Sequence, residues 1–207
     1  MEEIKYYSQF GQDKFIIENV FGGIKNGYFV ECGAGDGIHI SNTYTLEKYF
    51  DWNGICIECN PSSFKKLSLN RKSLLYDKPI THHGEIVEFN FIEDYGYYCS
   101  LFSSIYQISD NFKEHYTKIL LKSETLNTVL NKFNSPDIID YLSLDTEGGE
   151  LEILEEYFKN SKSRKIKCIS IEHNFFEERR NKIKILLENN GYTNIKQIDV
   201  DDIYLLT

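Results

Sequence analysis

The chain has 207 residues, 41% of them hydrophobic, and carries a formal net charge of −9, with 32 acidic against 23 basic side chains. That length fills one core, so a single domain over 1–207 is expected, and without a lysine–arginine run to track a phosphate backbone, binding to RNA or DNA is disfavoured. No apolar stretch is long enough to span a membrane and Met1-Glu2-Glu3-Ile4-Lys5 shows no basic-then-apolar leader, so the expectation is a soluble, cytoplasmic protein that works away from membranes.

In chain order, Asp13 is placed to cap a first helix carrying Phe15, Ile16 and Val20 and stopping at Gly22-Gly23. Tyr28, Phe29 and Val30 read as a buried strand ending on Glu31, and Gly33, Gly35 and Gly37 follow at once. A carboxylate buried there needs hydrogen-bond donors or a cation, while the glycines leave backbone N–H groups open to a ligand. Residues 42 to 50 predict a helix with Leu46 and Phe50 on one face. Its N-terminus, with the amides of Ser41, Asn42 and Thr43, turns toward the glycines, where a ligand carboxylate can dock. Gly54-Ile55-Cys56-Ile57-Glu58 is a second apolar strand closed by an acid, at the spacing of a ribose-binding carboxylate in a βαβ nucleotide site. Asn60 and Pro61 start a second crossover helix with Phe64 and Leu67 buried, and Lys65, Lys66, Arg71 and Lys72 read as a solvated face.

Segments 73–77 and 86–92 predict strands on either side of the turn-rich Thr81-His82-His83-Gly84. Between 93 and 124 periodicity fades, and Tyr95, Tyr97, Tyr98, Ser100, Ser103, Ser104 and Tyr106 suggest a lid and acceptor pocket, with a disordered loop as the alternative. Thr125 caps a helix through Phe133, 140–146 is a strand, and Leu151, Leu154, Tyr157 and Phe158 mark the helix after Gly148-Gly149. A strand over 165–173, a helix from 176 to 190 before Gly191, and a hairpin of 193–199 with 203–207 about Asp201-Asp202 complete the chain. Strand–helix alternation of this kind predicts an α/β, Rossmann-like sandwich: a mostly parallel sheet, an antiparallel edge hairpin, and helices on both faces. The 5 cysteines are odd in number and mostly lie in apolar segments, which suits reduced, packed thiols. Cys56 and Cys59, three apart on a strand, point to opposite faces and do not chelate one metal.

Ile38 stands where a dinucleotide fingerprint needs its third glycine, and an acid before the glycines opposes a pyrophosphate. The same acid suits a ligand bearing an amino group and a sulfonium, as S-adenosylmethionine does. A dinucleotide and a plain structural turn are the alternatives.

Five blocks in order resemble the FkbM-type methyltransferases over most of the chain. They are Ser8-Gln9-Phe10-Gly11-Gln12-Asp13, the stretch from Asn26 to Gly37, Ser41-Asn42-Thr43, the stretch from Trp52 to Pro61, and the stretch from Leu142 to Glu150. The resemblance implies the seven-stranded class I methyltransferase sheet and an S-adenosylmethionine-dependent O-methyltransferase. Its acceptor would be a sugar or glycan hydroxyl, a deoxyhexose such as rhamnose or fucose among them. It places cofactor contacts at Gln9, Gln12, Glu31, Gly33, Ala34, Gly35, Asp36, Ser41, Asn42, Thr43, Glu58, Cys59, Asn60 and Asp145, and makes Asp77 a candidate partner for the adenine amine.

Ligands of open α/β sheets bind beyond the carboxyl ends of the strands, where Glu31, Glu58, Asp145 and Glu172-His173-Asn174 fall. His173 is the first choice of general base for the acceptor hydroxyl, a satisfied core histidine being the other reading. Asp145 can take the proton or hold the methionine amino group, Glu147 can orient the acceptor, and Glu172 joins them in the catalytic group. Oxygen ligands from Asp145, Glu172 and Asn174 would suit Mg²⁺. Two further readings stand beside these: a cofactor-binding module without catalysis, and a methyltransferase acting on protein or nucleic acid.

Overall fold

The computed structural model describes residues 3–91, 99–100, 117–161 and 163–207. Short apolar runs without alternation become the central strands, because both faces of a parallel sheet are covered. They are β1 (Tyr28–Cys32), β2 (Asn53–Ile57), β3 (Leu74–Tyr76), β7 (Ile138–Leu144) and β8 (Lys165–Glu172), with β9 (Tyr192–Ile198) and β10 (Asp201–Leu206) as the closing hairpin. The seven strands run in the order β3-β2-β1-β7-β8-β10-β9. All neighbours up to β8 are parallel, and β10 is antiparallel to both β8 and β9. The antiparallel strand therefore sits one place inside the edge.

Helices α2 (Tyr44–Phe50) and α3 (Pro61–Asn70) cover one face, and α4 (Leu126–Lys132), α5 (Glu150–Asn160) and α6 (Glu177–Asn189) the other. Strand alternation divides the core between them. Phe29, Cys56, Tyr141 and Cys168 pack with Leu46, Phe50 and Leu67, whereas Val30, Ile55, Leu142 and Ile169 pack with Leu130, Leu154 and Leu187. The caps at α3 and α4 form as expected: Asn60 Oδ1 accepts from Ser62 N and Ser63 N, and Thr125 accepts from Thr128 N. Among the described residues no helix is long and apolar enough to cross a membrane.

Several local expectations are corrected. The first helix, α1 (Gln12–Phe15), starts after Gly11 in a left-handed conformation and continues as a π-helix over Ile16–Val20. Gly11, not Asp13, holds the N-cap position; Asp13 lies inside the first turn, where it is buried and accepts from Lys14 N, Tyr7 N, Ser8 Oγ and Thr45 Oγ1, tying the leading segment to α2. Arg71 is buried, not part of a solvated face. Segment 86–92 yields β4 (Ile86–Phe91), which leaves the main sheet and pairs antiparallel with β5 (Cys99–Ser100) and β6 (Thr117–Lys122). Part of the expected lid is thus a strand. Tyr95, Tyr97, Tyr98, Ser103, Ser104 and Tyr106 lie outside the described residues. Asp201 and Asp202 belong to β10 and are buried, the hairpin turning instead at Asp199 and Val200.

Candidate cofactor and acceptor site

The ends of β1, β2 and β7 are laced together by the glycine turn. Gly33 N and Ala34 N both donate to Ile57 O, and Asp145 N donates to Cys32 O. Gly33 adopts φ +84°, and a Cβ there would lie 2.0 Å from the Asp145 carbonyl oxygen, so the approach of loop to β7 demands glycine. Gly35, at φ +55°, has nothing within 4 Å of a Cβ position: this side of the turn is open. Asp36 folds the turn from within, its Oδ1 accepting from Ile38 N and His39 N.

Glu58 stands beside that open side. Its carboxylate accepts from Gly35 N at 2.8 Å, from Asn60 N at 2.7 Å and from the Cys59 amide, so Gly35, Cys59 and Asn60 converge on one acid, while Ala34 N is held by the Ile57 carbonyl. Burial pushes Glu58 up to about 7 against the pull of those amides. Asp77 follows β3 and is exposed.

Glu31 has a different role from the one expected. Its carboxylate accepts from Asn42 N, Ser41 Oγ and Thr43 Oγ1 and pairs with Arg71, leaving it fully occupied inside the protein. The cation required beside a buried strand-end acid comes from the chain itself, 40 residues away. The amides expected to receive a ligand carboxylate are spent within the chain: Ser41 N on the Ile38 carbonyl, Asn42 N on Glu31 and Thr43 N on Ser41 Oγ. Gln12 is also internal, donating to Asp201 and accepting from Phe10 N, while Gln9 is exposed beside the bridge from Ser8 to Ile40.

Two buried acceptors near the turn have no hydrogen-bond donor among the described residues: Asn42 Oδ1 and Asp145 Oδ1. Asn42 donates through Nδ2 to Ser143, near the end of β7, and Asp145 follows the strand end. An orphaned pair of acceptors of this kind suits a cationic donor.

Asp145, Glu147 and Glu172 bring carboxylate oxygens within 4.8 Å of one another at the ends of β7 and β8. Asp145 and Glu172 lie close enough to compete for a proton, and both bind it more tightly than an ordinary carboxyl does. Burial, then the charge of Glu147, holds Asp145 well above the usual range; burial, then Asp145 and Glu147, drives Glu172 up to about 12. Glu147 rises to about 7 through burial and the nearby Glu150. Glu147 is held in the left-handed region at φ 57°, an uncommon conformation for a residue with a side chain. Glu150, buried and not singled out from the sequence, fixes the turn by accepting from Thr146 N, Thr146 Oγ1 and Gly148 N.

His173 lies apart from this cluster. Its Nδ1 accepts from Phe175 N at 3.0 Å and its Nε2 sits 3.9 Å from Asp202 Oδ1, which Arg180 also binds. With Nδ1 accepting, the neutral ring carries its proton on Nε2, and burial lowers its affinity for a second. Asn174 and Phe175 follow with φ of 44° and 59°, and Phe175 and Phe176 are exposed. Of the three oxygen ligands expected for a cation, Asp145 and Glu172 lie in the carboxylate cluster, and Glu147 joins them there.

Residues 31–195 match the family described as Methyltransferase FkbM domain. No curated protein matches the chain. Among solved structures, the METTL16 MTase domain is 14% identical, with a TM-score of 0.51 over 93% of this chain and 64% of that one. Precorrin-6y C5,15-methyltransferase from Geobacter metallireducens GS-15 is 12% identical, with a TM-score of 0.48 over 89% and 82%. At 14% identity the METTL16 likeness bears on the fold alone.

Proposed function

Because the chain belongs to the FkbM methyltransferase family, we propose that it transfers a methyl group from S-adenosylmethionine to a hydroxyl of a sugar or glycan. The observation that carries the reading is the open glycine turn at Gly35, whose N–H Glu58 holds, taken with the buried, donorless oxygens of Asn42 and Asp145. That arrangement fits the cofactor: Glu58 keeps acceptor capacity for ribose hydroxyls, and the two orphaned oxygens take the methionine ammonium, a role that Glu31 is too occupied to fill.

When bound, the cofactor supplies a methyl already activated by its sulfonium. The chain then has to orient an acceptor and remove one proton, and orientation alone can supply about 7–11 kcal/mol. Glu147, raised to about 7, is suited to accept the hydroxyl proton near neutral pH, ahead of His173 with its Nδ1 already engaged. Phe175 and Phe176, exposed beyond the carboxyl end of β8, offer ring faces to the apolar side of a sugar. In the alternative arrangement Asp145, Glu147 and Glu172 would hold a divalent cation such as Mg²⁺ through oxygen alone, which would lower the acceptor hydroxyl's proton affinity and leave Glu147 a ligand, not the base.

The test is calorimetric titration with S-adenosylmethionine, with and without Mg²⁺, followed by methyl-transfer assays on methyl deoxyhexosides, peptides and RNA. Micromolar cofactor binding and transfer to a glycoside are the expected results. Absence of cofactor binding overturns the reading, and transfer to peptide or RNA alone replaces the acceptor class. No change with Mg²⁺ in affinity or rate removes the cation.

A further inference from the structure

Arg71 closes α3 with its side chain fully buried, at 0% exposure, and divides its guanidinium between two sets of partners. One arm faces α2, where Nε meets Glu47 Oε2 at 3.0 Å. The other faces the segment that follows β1. NH1 reaches Glu31 Oε2 at 3.2 Å, the Gly37 carbonyl at 3.1 Å and Ser41 Oγ at 3.3 Å, and NH2 reaches Thr43 Oγ1 at 2.9 Å. The stem packs as closely as the head: a Cβ on Gly37 would lie 2.7 Å from Arg71 Cγ.

The segment from Gly37 to Thr43 contains Ile40 in the left-handed region at φ 54° and is tied at its ends by Gly37 N to the Ala34 carbonyl and by Asn42 Nδ2 to Ser143, with a bridge from Ile40 to Ser8 between them. Further hydrogen bonds run to the side chains of Asp36, Glu31 and Arg71, and the last two gather the hydroxyls of Ser41 and Thr43. Glu31 alone would gather the amide and hydroxyl donors of 41–43 but leave its charge buried without a cation, which is costly. Arg71 supplies that cation and, through a rigid planar fork, fixes four acceptors at once, a geometry a lysine ammonium does not reproduce.

We infer that Arg71 is a positioning residue for the cofactor site. It sets the path from the glycine turn to α2, and through it the placement of Gly35 and Asn42, without touching the cofactor. This rests on the reading of the glycine turn as the cofactor cradle.

The experiment compares Arg71→Lys with Glu47→Gln, which removes charge only from the arm facing α2. Hydrogen exchange of the 37–43 amides is measured without ligand, and cofactor affinity and turnover are measured on the folded proteins. For Arg71→Lys, exchange faster by about tenfold and affinity weaker by about tenfold are expected, with kcat at saturating cofactor nearly unchanged. Glu47→Gln should lower the melting temperature while leaving both loop exchange and affinity close to wild type. If Arg71→Lys behaves like Glu47→Gln in exchange and affinity, Arg71 is only a staple between α2 and α3 and the inference fails. Should wild type itself not bind S-adenosylmethionine, the cradle reading fails by that result alone, and loop exchange still decides whether Arg71 orders the segment.

Discussion

Replacing Gly33 by alanine tests the closest approach in the site. The new Cβ would meet the Asp145 carbonyl oxygen at 2.0 Å, a backbone atom that cannot rotate away. Gly33 N is also held by Ile57 O, and Asp145 N by Cys32 O, so separating the turn from β7 breaks a hydrogen bond on one side or the other. A left-handed φ of +84° adds about 1–2 kcal/mol for a residue with a Cβ. Overpacking adds ~1–3 kcal/mol, for a total of about 2–5 kcal/mol. At this chain length that lowers the melting temperature by roughly 4 to 20 °C, measured by circular dichroism. Gly35→Ala is the control, because its Cβ enters open space at φ +55° and incurs only the backbone strain. It should melt closer to wild type yet bind S-adenosylmethionine more weakly, since its methyl fills the cradle. A Gly33→Ala protein melting within a degree of wild type would show that the turn does not press on β7 and would refute the reasoning.

Glu58→Gln keeps the shape of the side chain but removes its charge, and calorimetry should show cofactor affinity reduced by ~1.5–3 kcal/mol. Unchanged affinity would reject the ribose contact. Burial raises Glu58 to about 7 and Asp201 to about 6, so the folded state holds protons that the unfolded chain has already released. Their stabilising effect is complete below about pH 4 and is lost as pH rises through 6 and 7. Melting temperature should therefore fall between pH 5 and pH 8, less steeply in Glu58→Gln. Glu147→Gln should depress methyl transfer and abolish a rise in rate centred on about pH 7 while sparing cofactor affinity; a wild-type-like pH profile excludes Glu147 as the base. Cys32, Cys56 and Cys168 are buried with their thiols driven upward by burial, so alkylation of native protein at pH 8, read by peptide mass spectrometry, should label Cys59 ahead of these three.

Features whose cause is local were legible in the chain. The Asn60 and Thr125 caps each involve residues two or three positions apart, and the strand of Tyr28 to Cys32 followed by glycines declares itself through apolarity and missing side chains. The acids at the ends of β1, β2, β7 and β8 were also legible as members of one carboxyl edge. Which of them faces a ligand was not. Glu31 reads like a ligand contact until Arg71 is found beside it, and Arg71, flanked by lysines in sequence, reads like solvent. The need for a cation at Glu31 was the available signal; the identity of that cation was not encoded nearby.

Outside 93–124, the chain's local pattern was enough for most helices and strands, the α/β alternation and the acidic strand ends, because these depend on periodicity, capping and glycine content within short windows. The pairing of β4 with β6, the tie between Gln12 and Asp201 across 189 residues, the separation of His173 from the three acids, and the burial of Arg71 between Glu31 and Glu47 emerge only in the folded chain. Each depends on which side chains the folded sheet brings together. A buried charge takes its partner from whatever lies within a few ångströms in space, and distance along the chain carries no record of that.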